Sequence, residues 1–224
     1  MSTLPAPRHP RPHDLIFWSG LAADLQIRPA GALPIWMNPD WPLVVRRAPM
    51  LQAGAWMPVG VRGSGRSQRC AAYLSTIAMS TIVSPESLIN VSSLAAITER
   101  NAWPALIALR HIIDRLNGFG LEWGPAGSVG FALACGAAVV GCDSDLDLLV
   151  RAPVPLTRAQ IQRLHEVQSE ENGCRIDIQI DTGYGGFAFS EFHRTEKSVL
   201  LKTSHGPVMS ADPWSYLAEA ESEP

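Results

Sequence analysis

The stretch that decides the fold is SDLDLLVR, residues 144–151. Its acidic and apolar residues alternate ahead of an apolar run, a pattern that predicts a strand beginning at Asp145. Side chains in a strand alternate between faces, so Asp145 and Asp147 point to one face and the leucine after each points into the core. The predicted strand therefore combines a buried face with a face that carries two carboxylates.

A second stretch, CRIDIQIDT at residues 174–182, repeats this pattern. It predicts another strand, in which three alternating isoleucines pack inward and Asp177 lies on the polar face. Asp181 lies on that face as well. We favour Asp177 as the partner of the first two carboxylates because it is in mid-strand, whereas Asp181 borders a turn at Thr182-Gly183. If the two strands are neighbours, three carboxylates converge on one site.

Converging carboxylates need a compensating charge. Two unit charges about 4 Å apart repel each other by roughly 4 kcal/mol at an effective dielectric constant of 20. The cluster therefore requires a divalent cation, unless one carboxyl group stays protonated. A ligand set made only of carboxylate oxygens suits Mg²⁺ or Mn²⁺ and suits zinc poorly. We expect Mg²⁺ or Mn²⁺ to bind at Asp145, Asp147 and Asp177.

Gly127-Ser128 supplies a second element of the candidate site. The glycine permits a sharp backbone turn, and the helix predicted to begin at Val129 offers free N–H groups to an anion. The Ser128 hydroxyl adds a donor for a phosphate oxygen. A phosphate cradle beside metal-binding carboxylates is typical of phosphoryl or nucleotidyl transfer. By itself a Gly-Ser pair is usually a turn and an Asp-x-Asp strand a solvated edge, so the prediction depends on their occurring together with the later strand aspartate.

The overall composition excludes several classes of protein. The 224 residues carry a formal net charge of −3, which argues against a general nucleic-acid binder. A hydrophobic content of 46% predicts a packed core and excludes global disorder. The longest weakly polar run, residues 129–142, is too short and too rich in glycine to span a membrane. With no secretory signal pattern and no C-x-x-C pair, the four cysteines are expected to be reduced thiols of a cytoplasmic protein.

The remaining elements alternate in type. Residues 13–69 combine frequent Trp, Pro and Gly, which favours short strands and loops, and Ser84-Pro85-Glu86 is a helix-start pattern. Apolar spacing predicts helices over residues 104–117 and 157–168, with strands over 119–123 and at the two acidic stretches. A short last helix is expected to open at Asp212. Interleaved helices and strands of this kind predict the α+β class.

The combination Gly127-Ser128, Asp145-x-Asp147 and Asp177 resembles the nucleotidyltransferase superfamily of the DNA polymerase β type. Longer motifs spread over residues 11–214 narrow the resemblance to the phosphoribosyl-dephospho-CoA transferases, also called malonate decarboxylase holo-acyl-carrier-protein synthases. These motifs are Arg11-Pro12-His13-Asp14-Leu15, Val59-Gly60-Val61-Arg62-Gly63, Arg66-Ser67-Gln68-Arg69, Ser144-Asp145-Leu146-Asp147-Leu148, Leu200-Leu201-Lys202-Thr203, Gly206-Pro207 and Asp212-Pro213-Trp214.

The resemblance implies a reaction and two partners, with no nucleic acid or membrane involved. A serine hydroxyl of the acyl carrier protein subunit of malonate decarboxylase would attack the α-phosphate of triphosphoribosyl-dephospho-CoA, and pyrophosphate would leave. Asp145 and Asp147 would hold two metal ions, and Asp177 would bind one of them and help to deprotonate the serine. Gly127 and Ser128 would bind the triphosphate.

Composition along the chain predicts a domain arrangement. The proline-rich residues 1–12 are expected to form an extended arm, and residues 13–90 a Trp- and Pro-rich N-terminal α+β domain. Residues 91–224 are expected to form the catalytic domain, for which the resemblance implies a nucleotidyltransferase-like mixed sheet flanked by helices.

Four cations are further candidates for substrate binding. Arg62, Arg66 and Arg69 lie in a Gly- and Ser-rich stretch and are expected to neutralise the phosphates of the donor, unless they are simply solvated. Lys202 is a candidate contact for the leaving pyrophosphate, or else an ordinary surface lysine.

Two other functions fit parts of the sequence. A generic nucleotidyltransferase that adenylylates a small molecule or a protein would share the whole site and differ in its donor. A carrier-docking module with a decayed site would have lost a carboxylate. All three carboxylates are present, which counts against the docking module.

Overall fold

The computed structural model describes residues 9–89, 103–116, 118–170, 173–194 and 198–215. The chain divides into two compact units. The first comprises Met1–Arg46 and Met50–Ser84, and the second comprises Arg47–Pro49 and Pro85–Pro224. Helices and two sheets are both present, which confirms the α+β class for the chain as a whole.

The first unit is built on an antiparallel sheet of six strands, in the order β2-β5-β4-β3-β1-β6. Buried aliphatic side chains of β1, β4 and β5 form its core, among them Ile16, Val59 and Leu74. The strands are β1 (Leu15–Trp18), β2 (Leu25–Arg28), β3 (Leu43–Val45), β4 (Trp56–Arg62), β5 (Arg69–Ser75) and β6 (Met79–Val83).

The helical content of the first unit is small. Within the described residues of the first unit, the only helices are three short 3₁₀ turns, at Ala22–Asp24, Gln52–Gly54 and Thr76–Ala78. Proline and glycine interrupt most of the apolar runs there. Residues 70–83 contain neither, but their β-branched residues favour strands over an α-helix. The stretch beginning at Pro85 is also a 3₁₀ helix over Pro85–Ile89, and the residues directly after it lie outside the described ranges.

The second unit contains a mixed sheet of six strands, in the order β12-β11-β10-β9-β8-β7. Only β8 and β9 run parallel among these pairs. The strands are β7 (Glu122–Pro125), β8 (Leu146–Arg151), β9 (Ile176–Asp181), β10 (Gly186–Ala188), β11 (Val199–Thr203) and β12 (Gly206–Ser210). The helices are α1 (Pro104–Leu116), α2 (Gly127–Cys135), α3 (Arg158–Ser169) and α4 (Phe189–Arg194).

Helix α3 connects the two parallel strands and begins where the sequence predicts. Thr157 caps it, because its hydroxyl accepts a hydrogen bond from the Gln160 backbone N–H while the Gln160 side chain accepts one from the Thr157 N–H. Helices α1 and α2 pack against β8, and α3 and α4 pack against β9. The two strands that carry the acidic residues are therefore the centre of this unit.

Strand β7 lies later in the sequence than predicted. Gly118 and Gly120 have φ angles of +69° and +80°, which keeps the backbone ahead of Glu122 in a turn. Gly124 and Pro125 belong to the strand rather than ending it, because β7 is an edge strand, where a proline's missing N–H is tolerated. A Cβ on Gly124 would lie 1.9 Å from the Pro85 carbonyl oxygen, so only glycine allows the 3₁₀ helix to approach so closely.

The segment at Asp212 is a turn within the described residues, and the rest of the helix predicted there lies outside them. Asp212 accepts a hydrogen bond from the Trp214 N–H. The Trp214 indole N–H donates to the Ala152 carbonyl oxygen at 2.9 Å, and the ring packs edge-on against Phe187 and Phe192. Trp214 therefore anchors the end of the described chain to the sheet. No helix among the described residues is both long and apolar enough to span a membrane.

Candidate active site

The two acidic stretches lie side by side. Strands β8 and β9 pair in parallel with Asp147 directly opposite Asp177, so the prediction that they are neighbours is confirmed. Asp145 directly precedes β8. All three carboxylates are on partly exposed positions, whereas the alternating leucines and isoleucines of the two strands are buried. Burial of one face thus determines that the acidic residues share the other.

Gly127 brings the Gly-Ser pair to the same place. It is the first residue of α2 and has a φ of +57°, and a Cβ at this position would lie 1.8 Å from Oδ2 of Asp147. The neighbouring Ala126 donates its N–H to the Asp147 carbonyl oxygen at 2.8 Å. Ser128 follows in the first turn of α2 and is half-buried. The turn before α2 and the carboxylate of β8 are therefore packed together, and only glycine leaves room for that contact.

Arg175 is a residue of this site that sequence reasoning missed. Its Nη2 atom lies 2.6 Å from Oδ2 of Asp177 and 3.2 Å from Oδ2 of Asp145, so one guanidinium group joins the two carboxylates. The three side chains are exposed by 69% for the arginine and 39% for each aspartate. A signal was available, because residues two apart in an extended chain lie on the same face and Arg175 is two residues before Asp177.

The Cys174 thiol lies near the same carboxylates. Burial raises the pKa of Cys174, a hydrogen bond with the Leu146 backbone acts in the opposite direction, and the negative charge of Asp145 raises it further. The thiol therefore stays protonated and offers no competing anionic ligand at neutral pH.

Asp181 occupies a different environment from Asp177. The two aspartates are four positions apart, which is about 13 Å of strand at about 3.3 Å per residue. Asp181 is buried, its Oδ1 is 2.8 Å from Nη2 of Arg47, and its Oδ2 accepts a hydrogen bond from Arg151. Burial alone would raise the pKa of Asp181, but the charges of Arg47 and Arg151 outweigh it and lower the pKa below its ordinary value. Asp177, not Asp181, lies beside Asp147.

Arg151 is paired on both sides. Its Nε donates to Oε1 of Glu86 at 2.7 Å, in addition to its contact with Asp181. Burial by itself lowers the pKa of the Arg151 guanidinium, but the contacts with Glu86 and Asp181 outweigh it and raise the pKa. Arg151 and Asp181 are buried, while Arg47 and Glu86 are each 14% exposed at the edge of this network. The network of two arginines and two carboxylates is structural, because each charge faces a charge of opposite sign.

Comparison with known proteins identifies the family of the chain. Residues 11–85 match the phosphoribosyl-dephospho-CoA transferase MdcG N-terminal domain, and residues 90–213 match the MdcG C-terminal domain. A phosphoribosyl-dephospho-CoA transferase of Pseudomonas putida is 41% identical over 94% of this chain and 98% of that protein. Proteins of the same name are 40% identical in Pseudomonas aeruginosa, over 95% and 97%, and 38% identical in Azotobacter vinelandii, over 93% and 96%.

The chain belongs to the phosphoribosyl-dephospho-CoA transferase family. It is therefore a transferase, and the resemblance found in its motifs is confirmed. No solved structure matches the chain.

Three of the four candidate cations of this transferase lie in the first unit. Arg62 is the last residue of β4 and lies opposite Arg69, the first residue of β5, in the antiparallel ladder. Arg62 is buried, while Arg66 and Arg69 are exposed. The turn between the strands is held by Gln68, whose backbone oxygen accepts from the Gly63 N–H at 2.8 Å. The three arginines thus belong to the β4–β5 hairpin, and their contact with the donor stays a prediction.

Lys202 lies in the same sheet as the carboxylates but away from them. It is an exposed residue of β11 opposite Gly186 of β10, which in turn pairs with Asp181. The sheet register therefore aligns Lys202 with the Asp181 end of β9 rather than with Asp177. A contact between Lys202 and pyrophosphate stays a prediction as well.

The three candidate carboxylates are of the chemical type that a hard divalent cation prefers. Asp145, Asp147 and Asp177 offer carboxylate oxygens only, the ligands that Mg²⁺ and Mn²⁺ prefer. Among the residues that the structure describes, however, no group of three or more acidic, His or Cys side chains is arranged around a common point for a metal ion. Arg175 instead bridges two of the three carboxylates, so these side chains must rearrange if they are to share a metal.

We predict that Asp181→Asn destabilises the protein by about 3–5 kcal/mol at neutral pH, because it leaves two buried arginines facing an uncharged amide. The pKa of Asp181 is lowered in the folded state. Its contribution to the free energy of unfolding is therefore complete above the ordinary pKa of 3.8 and is lost as the pH falls through the lowered pKa. Urea unfolding of both proteins should therefore give a difference that shrinks in acid. The exposed Asp114→Asn on α1 is the control and should change stability by less than ~0.5 kcal/mol. A difference that is small, or the same at all pH values, would contradict the buried pairing.

We predict that Gly127→Ala lowers transferase activity at least 100-fold, because the new Cβ must displace the Asp147 carboxylate. Gly136→Ala is a matched control: Gly136 ends the same helix with a φ of +71°, yet a Cβ there meets no atom within 4 Å. Both substitutions should cost about 1 kcal/mol of stability from backbone strain. Thermal unfolding and activity assays on the two variants test this, and equal activities would show that the contact with Asp147 is unimportant.

Proposed function

We propose that this transferase moves the phosphoribosyl-dephospho-CoA group from triphosphoribosyl-dephospho-CoA to a serine of the malonate decarboxylase acyl carrier protein, with release of pyrophosphate. The observation that carries the proposal is the pairing of Asp147 with Asp177 beside Gly127-Ser128, in a chain of this family. This arrangement combines a turn suited to phosphate with adjacent carboxylates, as a phosphoryl-group transfer requires.

In the proposed reaction, the serine oxygen forms a bond to the α-phosphorus while the bond from that phosphorus to the bridging β-phosphate oxygen breaks. The electron pair of the broken bond leaves with pyrophosphate. Asp177 accepts the serine proton. The product is a phosphodiester between the carrier serine and the phosphoribosyl group.

The candidate site residues have separate tasks in this proposal. Ser128 donates its hydroxyl to a phosphate oxygen, and the backbone N–H groups of the first turn of α2 face the same anion. Asp145, Asp147 and Asp177 would hold Mg²⁺ or Mn²⁺, which would neutralise phosphate charge and polarise the α-phosphate. Arg62, Arg66 and Arg69 contribute binding energy to the anionic donor.

Intact-mass measurement on the carrier protein tests the proposal directly. The purified transferase is incubated with the apo carrier subunit, triphosphoribosyl-dephospho-CoA and Mg²⁺, and the carrier should gain the mass of phosphoribosyl-dephospho-CoA. A carrier whose acceptor serine is replaced by alanine should gain nothing. A gain of AMP from ATP instead would identify a generic adenylylating enzyme and overturn the proposed donor.

We predict that Asp147→Asn lowers the rate of this transfer at least 100-fold, about 2.7 kcal/mol of transition-state stabilisation, because one of the three carboxylates is lost. We expect no large loss of stability from a substitution at this half-exposed position, and circular dichroism checks the fold. Asp114→Asn, on an exposed face of α1, should leave the rate unchanged. Comparable rates for Asp147→Asn and the control would remove Asp147 from the site.

Removal of divalent cations should stop the transfer. Three carboxylates that face a triphosphate carry a large negative charge, which needs a cation for compensation. We expect EDTA to abolish the mass gain of the carrier and excess Mg²⁺ or Mn²⁺ to restore it. Undiminished transfer in buffer stripped of metal ions would contradict the metal requirement.

A further inference from the structure

Arg175 is the one cation that the described structure places in contact with two of the three candidate metal ligands. A single nitrogen, Nη2, reaches Oδ2 of Asp177 at 2.6 Å and Oδ2 of Asp145 at 3.2 Å. A positive group that contacts oxygens from two carboxylates at once occupies the position that a shared metal ion would need. These contacts offset part of the negative charge of the acidic cluster.

The contacts of Arg175 are of a kind that can be exchanged. The arginine side chain is 69% exposed, and each of its two aspartate partners is 39% exposed. Exposed ion pairs contribute little net stability, because water competes for both charges and the long side chain loses freedom. A divalent cation carries twice the charge of the guanidinium group and prefers carboxylate oxygens.

We propose that Arg175 competes with the divalent cation for Asp145 and Asp177. It holds the two carboxylates together in the metal-free protein, and it must release at least one of them before a metal ion binds there. The metal-free protein therefore binds a divalent cation more weakly than its carboxylates alone would. The inference rests on the metal requirement of the proposed function and adds a positioning residue to that site.

A second pair in the same unit provides a matched control. Nη2 of Arg115 lies 2.6 Å from Oε1 of Glu170, and its side chain is 52% exposed. This pair therefore matches Arg175 in its short contact and its exposure, but neither partner belongs to the acidic cluster. Arg115→Gln removes the same charge as Arg175→Gln without altering the proposed site.

Titration with Mn²⁺ alone, in the absence of donor and carrier protein, tests the competition. Calorimetry should show that Arg175→Gln binds Mn²⁺ at least fivefold more tightly than the wild type, while Arg115→Gln stays within twofold of the wild type. Binding by Arg175→Gln that is unchanged or weaker overturns the proposal. Because the assay does not involve transfer, that result would leave the proposed function standing. A wild type and an Arg175→Gln variant that both fail to bind Mn²⁺ would also overturn this inference. The metal requirement itself would still depend on the EDTA experiment, in which the donor phosphates can complete the ligand set.

A crystal structure of the wild-type protein with Mn²⁺ makes the test independent of any variant. The anomalous signal of manganese locates the metal ion. We expect the ion to contact Asp145 or Asp177 and Nη2 of Arg175 to lie beyond hydrogen-bonding distance from at least one of the two carboxylates. Manganese bound at these aspartates while Arg175 keeps both contacts would overturn the competition.

Discussion

The parallel pairing of β8 with β9 is the constraint on which the rest of the second unit depends. It sets Asp147 directly opposite Asp177, an arrangement that like charges disfavour. The pairing is maintained by the buried side chains on the other face, because a shift of one residue would expose all of them and bury the acids. The hydrophobic face thus imposes an electrostatic strain that the polar face must relieve.

The charges at the two ends of this strand pair are compensated differently. Where β8 and β9 end, Arg151 lies opposite Asp181, and these opposite charges are buried with Arg47 and Glu86. Where the strands begin, two carboxylates face each other and are partly exposed, with Arg175 as an exposed counter-charge. One end is suited to fixed structure, whereas the other retains groups that can bind a ligand.

Much of the second unit could be predicted from the sequence because its patterns are local. Alternation identified β8 and β9, and apolar spacing identified α3 over residues 157–168. The contact between Gly127 and Asp147, by contrast, joins residues whose closeness depends on the packing of α2 against β8. The bridging position of Arg175 could not be predicted, because Asp145 is 30 residues away in sequence and comes within its reach only when β8 pairs with β9.

Other features could not be predicted because they depend on distant partners. Nothing near Arg47 in the sequence indicates that it pairs with Asp181, and Asp181 could be separated from Asp177 only once that pairing was known. The late start of β7 depends on two glycines with positive φ and on the position of the strand at the edge of the sheet. In the first unit, frequent proline and glycine residues divide the sequence into short segments, so the number of strands that associate into one sheet could not be predicted.

The position of Arg47 has a consequence for how the protein can be divided. The segment Arg47–Pro49 belongs to the second unit, although the chain on both sides of it belongs to the first. The polypeptide therefore passes from one unit to the other at three points rather than through a single linker. A fragment that begins at Pro85 would lack Arg47, one of the two arginines that neutralise Asp181. A cut between the two matched family domains therefore does not separate two self-sufficient folding units.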